Sequence, residues 1–330
     1  MKWLRNLGLP FSVLYGWIVW LRNKFYDWGW FASRSYEVPI LCIGNLSTGG
    51  SGKTPMAEWF LSHLLPKRKV AVLSRGYKRE TDGFYLVRPE RTAAEVGDEP
   101  LQMARKFPEA VVAVDANRQR GIEQLIALED PEIILLDDGF QHRKVKPALA
   151  VLLTAYDELY PDEAYLPAGN LRDHRSQARR ADLIVVTKCP NPLSAADRER
   201  IRRKLALRDG QELAFASLCY QQIRDQSGGL ISEKTLKNEK FTLVTGIARP
   251  EPLIAYLKKS GIQFEHLKFS DHHKFSSSEL RTLKQRQPLL TTEKDAVRLE
   301  GALDTFYILP VQHCFSGKDQ VLMEQFLCRF

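Results

Sequence analysis

Cysteine is scarce and unpatterned in this 330-residue chain. The five cysteines, Cys42, Cys189, Cys219, Cys314 and Cys328, form no CxxC pair and are odd in number. That pattern argues against a zinc ribbon or a disulfide framework, and five reduced thiols are expected. No apolar run reaches the length of a membrane span. No small-residue cleavage site follows the N-terminal apolar run, so a signal peptide is not expected. Collagen-like periods, low-complexity tracts and solenoid-length repeats are also missing, which leaves an ordinary globular composition. Such a chain can bury one large or two medium cores. Acidic residues fall short of basic ones, 40 against 48, for a net charge of +8. The excess suits an acidic partner, whether nucleic acid, anionic lipid or a phosphorylated substrate. No RNA- or DNA-binding motif accompanies it, so no nucleic-acid partner is expected, and no obligate protein partner is evident.

What is present begins with Gly44-Asn45-Leu46-Ser47-Thr48-Gly49-Gly50-Ser51-Gly52-Lys53-Thr54-Pro55. An apolar run, Val38 to Ile43, precedes it, and Met56-Ala57-Glu58-Trp59-Phe60-Leu61 follows. A strand, a glycine-rich turn, a Lys-Thr pair and a helix start are the parts of a phosphate-binding P-loop. Backbone N–H groups from Ser47 to Thr54 would curl around the phosphates of ATP, aided by the helix N-terminus. Lys53 would reach the outer phosphates, and the Thr54 hydroxyl would ligate Mg²⁺. Pro55 fits the first helical turn, which has no use for its missing N–H. Ser47 stands where the usual pattern has its first glycine. A turn that merely joins strand to helix is the competing reading, and the Gly-Lys-Thr context opposes it.

Further along, Lys69–Leu73, Ala110–Val114, Glu132–Leu136, Leu149–Leu153, Leu183–Thr187, Ala214–Cys219, Thr242–Gly246, Gln263–Phe269 and Leu289–Thr291 read as strands. Helices are expected over Thr54–Leu65, Arg118–Leu128, Ser194–Leu207, Pro252–Ser260 and Ser276–Gln285, with a hairpin-like excursion around Asp82–Val87. The alternation predicts an α/β fold: a P-loop NTPase-like, doubly wound, mostly parallel sheet with a smaller α/β second domain and an N-terminal membrane-associated helix. The expected divisions are 1–35 for that helix, 36–160 for the nucleotide-binding core, and 161–330 for the rest of the core with the smaller domain.

Residues 1–31 carry Trp3, Trp17, Trp20, Trp28 and Trp30, leaving a single tryptophan for the rest of the chain. The run Phe11 to Leu21 is flanked by Lys2, Arg5, Arg22 and Lys24. Tryptophan prefers the headgroup level and basic flanks favour an anionic leaflet, so this stretch reads as an interfacial membrane helix. An aromatic helix packed on the protein's own core is the alternative.

Four constellations could carry chemistry. Ile133-Ile134-Leu135-Leu136-Asp137-Asp138 is an apolar strand ending in carboxylates, the form of a Walker B element, and one or both aspartates would complete a Mg²⁺ site with Thr54. Gly97-Asp98-Glu99-Pro100 opens a helix; on the residues alone Asp98 reads first as its N-cap, and second as a carboxylate that takes a proton from an attacking hydroxyl. Asp271-His272-His273 offers either a cap with surface histidines or a histidine that orients the catalytic carboxylate, and no Cys/His spacing supports zinc. Arg172, Arg175, Arg179 and Arg180 form a solvated basic face by default, with a phosphorylated lipid head group as the competing partner.

Together these residues resemble the tetraacyldisaccharide 4'-kinase family of lipid A biosynthesis. The likeness runs through Tyr15-Gly16, Gly44-Asn45-Leu46, the P-loop, Ser74-Arg75-Gly76-Tyr77 and Gly97-Asp98-Glu99-Pro100. Its most specific block is Asp137-Asp138-Gly139-Phe140-Gln141-His142, followed by Pro167-Ala168-Gly169, Leu171-Arg172, Thr187-Lys188, Asp271-His272 and Thr291-Thr292-Glu293-Lys294-Asp295. The resemblance implies transfer of the ATP γ-phosphate to the 4'-hydroxyl of a tetraacyldisaccharide 1-phosphate. It also implies a place at the cytoplasmic face of the bacterial inner membrane, peripheral or monotopic. It implies Asp98 as general base with His272 its partner, Lys53 on the phosphates, and Thr54, Asp137 and Asp138 at Mg²⁺. Arg75, Tyr77, Gln141, His142, Arg172 and Asp173 are the implied substrate contacts, and Asp173 departs from the family, which commonly has Glu there. The rival is a membrane-associated P-loop ATPase or switch of the partition type. Those carry an extra lysine where this chain has Thr48.

Overall fold

In the computed structural model, which describes residues 8–330, eight strands form the larger sheet. They are β1 (Ile40–Asn45), β2 (Val70–Ser74), β3 (Tyr85–Leu86), β4 (Val111–Val114), β5 (Ile133–Asp137), β6 (Leu149–Ala155), β7 (Leu183–Thr187) and β8 (Glu212–Phe215). Their order is β3-β4-β2-β5-β1-β6-β7-β8, and every pairing is parallel except β3 with β4. Successive side chains on a strand point to opposite faces, and both faces of β1 are covered. Leu41 and Ile43 share a core with Met56 and Phe60 of the helix Lys53–Leu64, while Ile40 and Cys42 share another with Leu152 and Ile184. Unbroken apolar strands such as Ile133–Leu136 are what a sheet buried on both sides requires.

The chain leaves this sheet through β9 (Ser217–Tyr220) and builds a second one from β10 (Arg224–Asp225), β11 (Lys240–Thr245), β12 (Gln263–Lys268), β13 (Leu289–Thr292) and β14 (Tyr307–Leu309). The order is β10-β14-β13-β11-β12, with a core around Phe241, Leu243, Leu257 and Leu290. It returns through β15 (Val311–Cys314), which pairs antiparallel with β9. The helix Lys318–Leu327 then rejoins the first sheet, with Met323 and Phe326 in its core. The mostly parallel, doubly wound α/β architecture is as expected, with local differences. Ala214–Cys219 is not one strand; it breaks at Ala216, where the chain passes from one sheet to the ribbon. The excursion around Asp82–Val87 is no hairpin of its own, because β3 finds its partner in β4.

The reading of five reduced thiols is corrected. Cys219 and Cys314 are joined by a disulfide, because the ribbon brings residues 95 positions apart within a Cα separation of 5.9 Å. Cys42 and Cys189 are free and buried, and Cys328 is free and exposed.

The N-terminal helix runs from Leu9 to Asp27, with Pro10 in the first turn, where its missing N–H costs nothing. Trp3, Lys2 and Arg5 lie outside the described residues. Its burial is inverted relative to an ordinary surface helix. The buried stripe is Ser12, Gly16, Val19 and Asn23, while Phe11, Val13, Leu14, Trp17 and Ile18 are all about 60 % exposed or more. The inward side is held by polar contacts. The Ala168 N–H donates to Ser12 Oγ at 2.9 Å, Tyr15 Oη to the Arg172 carbonyl at 2.9 Å, and Arg22 to the Gln141 carbonyl at 2.8 Å. No helix among the described residues is long and apolar enough to cross a membrane.

Candidate active site

The P-loop leaves β1 at Asn45 and enters its helix at Lys53. Gly52 has φ +83°, a conformation open to glycine, and a Cβ there would sit 2.7 Å from His313 Nε2. That nitrogen lies 2.9 Å from the Gly52 carbonyl. Burial pushes the His313 imidazole down to about 4, so it is neutral at pH 7, and Nε2–H donates to the carbonyl. Asn45 Nδ2 donates to Ser51 Oγ at 2.8 Å, and Thr187 Oγ1 donates to the Ser51 carbonyl at 2.8 Å. On the outer side, the Thr48 N–H donates to the Asn170 carbonyl at 2.7 Å and Ser47 bridges Leu171. Thr48, Gly49 and Gly50 stay exposed, with Lys53 and Thr54 half-buried beneath them. The loop is thus braced from behind, with Thr48 to Gly50 exposed in front.

Ile43 pairs with Asp137 in register, so β5 delivers its terminal carboxylate beside the strand that carries the P-loop. Ser74 Oγ donates to Asp137 Oδ2 at 3.1 Å, while Oδ1 is buried without a partner. Burial, reinforced by the neighbouring Asp138, pushes Asp137 up to about 6. Asp138 goes the other way. Burial opposes its charge, but Lys53 (3.8 Å) and Arg172 (Nη1 at 3.2 Å) more than offset that and hold it down at about 2. Arg172 Nη2 also donates to Asn45 Oδ1 at 2.6 Å. Among the described residues, no three His, Cys, Asp or Glu side chains could hold a metal by themselves. A buried, unpaired carboxylate oxygen next to the Thr54 loop does fit Mg²⁺, which keeps most of its positions for water and phosphate.

Asp98 is the first residue of the helix Asp98–Lys106, whose N-cap is Gly97, and its carboxylate makes no capping bond. It faces His272 instead: Nδ1 lies 2.7 Å from Oδ2. Arg298 stands 3.5 Å away. Burial raises the carboxyl, but His272 and Arg298 bring it below its ordinary value, so Asp98 is ionised at neutral pH. A Cβ on Gly97 would lie 3.2 Å from Gly76 Cα, so this helix start sits against the turn after β2. The charge of Glu99 also bears on Asp137. P-loop, Asp137 and Asp98 therefore gather at the carboxyl ends of β1, β5 and β2, the edge where open parallel sheets collect ligands.

The same helix carries an ion-pair ladder to the second sheet's helix Glu293–Leu299 and its flank. Glu99 meets Lys294 at 3.2 Å, Arg105 meets Glu300, and Lys106 meets Glu293 at 2.8 Å. Lys106 also reaches Glu58 of the P-loop helix at 2.7 Å.

Tyr77 is exposed, with its ring 5.6 Å from that of His272, edge to face; Arg75 is exposed beside it. Gln141 Nε2 donates to the Asn45 carbonyl at 2.7 Å. His142 is half-buried, and burial, with Arg118 and Arg75, pushes it down to about 4. Asp173 is fully buried and accepts from Asn23 Nδ2 at 2.7 Å, so it ties the N-terminal helix to the loop behind Arg172. The arginines do not form one face. Arg172 turns to Asp138, Arg180 packs over the Phe140 ring at 4.4 Å, Arg175 lies over Tyr165, and Arg179 is exposed. Neither reading of Asp271 as a cap nor of His272 as a surface residue holds, since Ser276 caps the next helix and His272 reaches Asp98. Asn45, Ser74, Lys294, Arg298 and His313 are site residues that the sequence reading left out of the site. Asn45 sits in the Gly-Asn-Leu that opens the loop; His313 carries no local signal.

The sequence model of the family described as tetraacyldisaccharide-1-P 4'-kinase matches residues 4–329. Among proteins named tetraacyldisaccharide 4'-kinase, the chain is similar to one from Flavobacterium johnsoniae, 44% identical over 97% of this chain and 95% of that one. It is also similar to one from Bacteroides thetaiotaomicron, 42% identical over 94% of this chain and 88% of that one. Among solved structures it resembles LpxK from Aquifex aeolicus in complex with ATP, with a TM-score of 0.79, 29% identity and 98% of each chain covered.

Proposed function

The chain belongs to the tetraacyldisaccharide-1-P 4'-kinase family, and from that premise we propose how its residues divide the work. The enzyme is an ATP-dependent lipid A 4'-kinase: it transfers the γ-phosphoryl group of ATP to the 4'-hydroxyl of the tetraacyldisaccharide 1-phosphate. The backbone from Ser47 to Thr54 cradles the phosphates, and Lys53 offsets their charge. Thr54 and Asp137 would hold Mg²⁺, with Asp138 alongside, and the buried, unpartnered Asp137 Oδ1 supports this. The ion offsets charge on the β- and γ-phosphate oxygens when bound. Lys53 and Arg172, both on Asp138 here, are placed to exchange that carboxylate for phosphate oxygens.

Asp98 is the general base. The 4'-oxygen bonds to the γ-phosphorus as the bond to the bridging oxygen breaks, ADP leaves, and the hydroxyl proton passes to Asp98. His272 donates from Nδ1 and fixes the direction of that carboxylate. The observation that carries this reading is the 2.7 Å bond itself, because a carboxylate at a helix start that ignores its own backbone donors is committed elsewhere. The exposed apolar side of the helix Leu9–Asp27 rests on the anionic cytoplasmic face of the inner membrane, where the acyl chains of the acceptor remain. Incubation with γ-labelled ATP and a tetraacyldisaccharide 1-phosphate tests the assignment. Label in the lipid, lost with Asp98→Asn, is expected; lipid-independent release of inorganic phosphate would favour a switch ATPase instead.

A further inference from the structure

We propose that Lys294 is a positioning residue for the transfer, holding His272 in the tautomer that donates from Nδ1 to Asp98. An ammonium has three N–H donors and no acceptor. Lys294 Nζ has three acceptors around it: His272 Nε2 at 3.1 Å, Glu99 Oε1 at 3.2 Å and Asp271 Oδ1 at 3.3 Å. Burial works against its charge, but Glu99 and Asp271 outweigh this and keep it above the ordinary lysine value. A charged Lys294 can only donate to Nε2, so Nε2 must present its lone pair and the ring hydrogen must lie on Nδ1. The backbone agrees. His272 has φ +58°, in the left-handed region, and its N–H lies 3.3 Å from the Gly246 carbonyl. That bond anchors the turn to the residue just after β11.

The ring's other charged neighbours show what Lys294 prevents. Glu99 Oε1 stands 3.8 Å and Asp271 Oδ2 3.9 Å from Nε2, both favouring a second proton there. Arg298 lies on Asp98 at 3.5 Å and also donates to the His273 carbonyl, while Tyr77 presents only a ring edge. Of these groups, Lys294 alone bars Nε2 from the two carboxylates. Without it Nε2 can carry the ring hydrogen towards these carboxylates, and Nδ1 then loses the hydrogen it donates to Asp98. The role is indirect: Lys294 acts on the base through His272.

The inference rests on Asp98 being the base. The test compares kcat, KM and their pH profiles for the full-length enzyme, Lys294→Met, His272→Gln and the double variant, with ATP and the lipid acceptor. Lys294→Met should lose about tenfold or more in kcat, with the pH profile altered from that of the wild type. KM for ATP should be unchanged, and adding Lys294→Met to His272→Gln should change little, as for residues acting as one unit. A wild-type profile for Lys294→Met, an equal loss in the His272→Gln background, or a raised lipid KM with intact kcat each overturns the proposal. The last would place Lys294 on the substrate. ¹⁵N-histidine spectra of the wild-type protein need no variant that folds, apart from assignment: His272 must show an unprotonated Nε2 at neutral pH, and a protonated one refutes the idea. Full activity of Asp98→Asn would instead sink the assignment of the base.

Discussion

His272 Nδ1 and Asp98 Oδ2 are 2.7 Å apart, although 174 positions separate the two residues in the chain. Asp98 belongs to a helix packed on the first sheet, and His272 follows the last residue pairing of β12 in the second. The proposed base is therefore assembled across two sheets. Asp98→Asn keeps the shape and removes the proton acceptor, so phosphoryl transfer should fall about 10²- to 10⁴-fold. ATP binding, read by fluorescent nucleotide displacement, should be unchanged. Loss of ATP binding instead would make Asp98 a nucleotide ligand.

Asp137, as a proposed metal ligand, should make Mg²⁺ binding pH-dependent. Its folded pKa of about 6 is above that of an unfolded carboxylate, so the native state holds the proton more tightly than the unfolded one. That contribution to stability is complete below about pH 4 and is lost as pH rises towards 6. Above 6 the protein carries a buried charge that a cation relieves. Mg²⁺ affinity should fall about tenfold per pH unit below 6, because the ion must displace the proton. Titration of Mg²⁺ by isothermal calorimetry with ADP at pH 5 and pH 7.5 checks this; equal affinities would remove Asp137 from the metal site. Asp137→Asn should abolish the pH effect.

The inverted helix predicts a separation between folding and membrane binding. Phe11, Trp17 and Ile18 are all exposed, so changing them to Ser should shift the melting temperature by no more than about 2 °C. Each such side chain gains about 1.5–3 kcal/mol when fully buried in an apolar phase. The triple variant should then leave anionic vesicles in a flotation assay where the parent floats. Co-flotation of both would end the lipid-facing reading.

Lys106 should be worth more to stability than any exposed lysine. It joins Glu58 and Glu293, both carboxylates nearly inaccessible, and Gln102 Nε2 completes Glu58 at 2.6 Å. Burial pushes Glu58 up to about 7 even with Lys106 present. Lys106→Met strands the buried Glu58 and leaves Glu293 with Arg224 as its partner, a loss of about 3–5 kcal/mol. A raised folded carboxyl loses stability as pH rises through its pKa, so the deficit should be larger at pH 8 than at pH 6. Urea unfolding midpoints at both values measure it.

The features legible in the sequence are those that a local pattern determines. Gly49 to Gly52 must be a loop because of its glycines, and Ile133–Asp137 must be a buried strand because nothing polar interrupts it before the carboxylate. Asp98 could not be resolved that way, because a helix cap and a general base call for the same residue type at the same place. Only the position of His272 separates them. Lys294 stands in a block that carries the resemblance but without a role, and His313 carries no signal at all, because each gains its partner only by tertiary packing. The arginine segment misled as a unit, since a short 3₁₀ turn over Arg175–Arg180 sends neighbouring side chains in different directions. The Cys219–Cys314 pair needed the ribbon.

An α-helix with its side chains is about 10–12 Å across. The helix Leu9–Asp27 presents apolar residues on one side and, on the other, bonds to Gln141, Arg172 and Asp173 beside the phosphate-binding loop. If the apolar side rests on the bilayer as proposed, this thickness would set how far the phosphate-binding loop stands from the headgroups. On the proposed lipid-facing reading, a hydroxyl carried further out on a longer saccharide should therefore be a poorer acceptor.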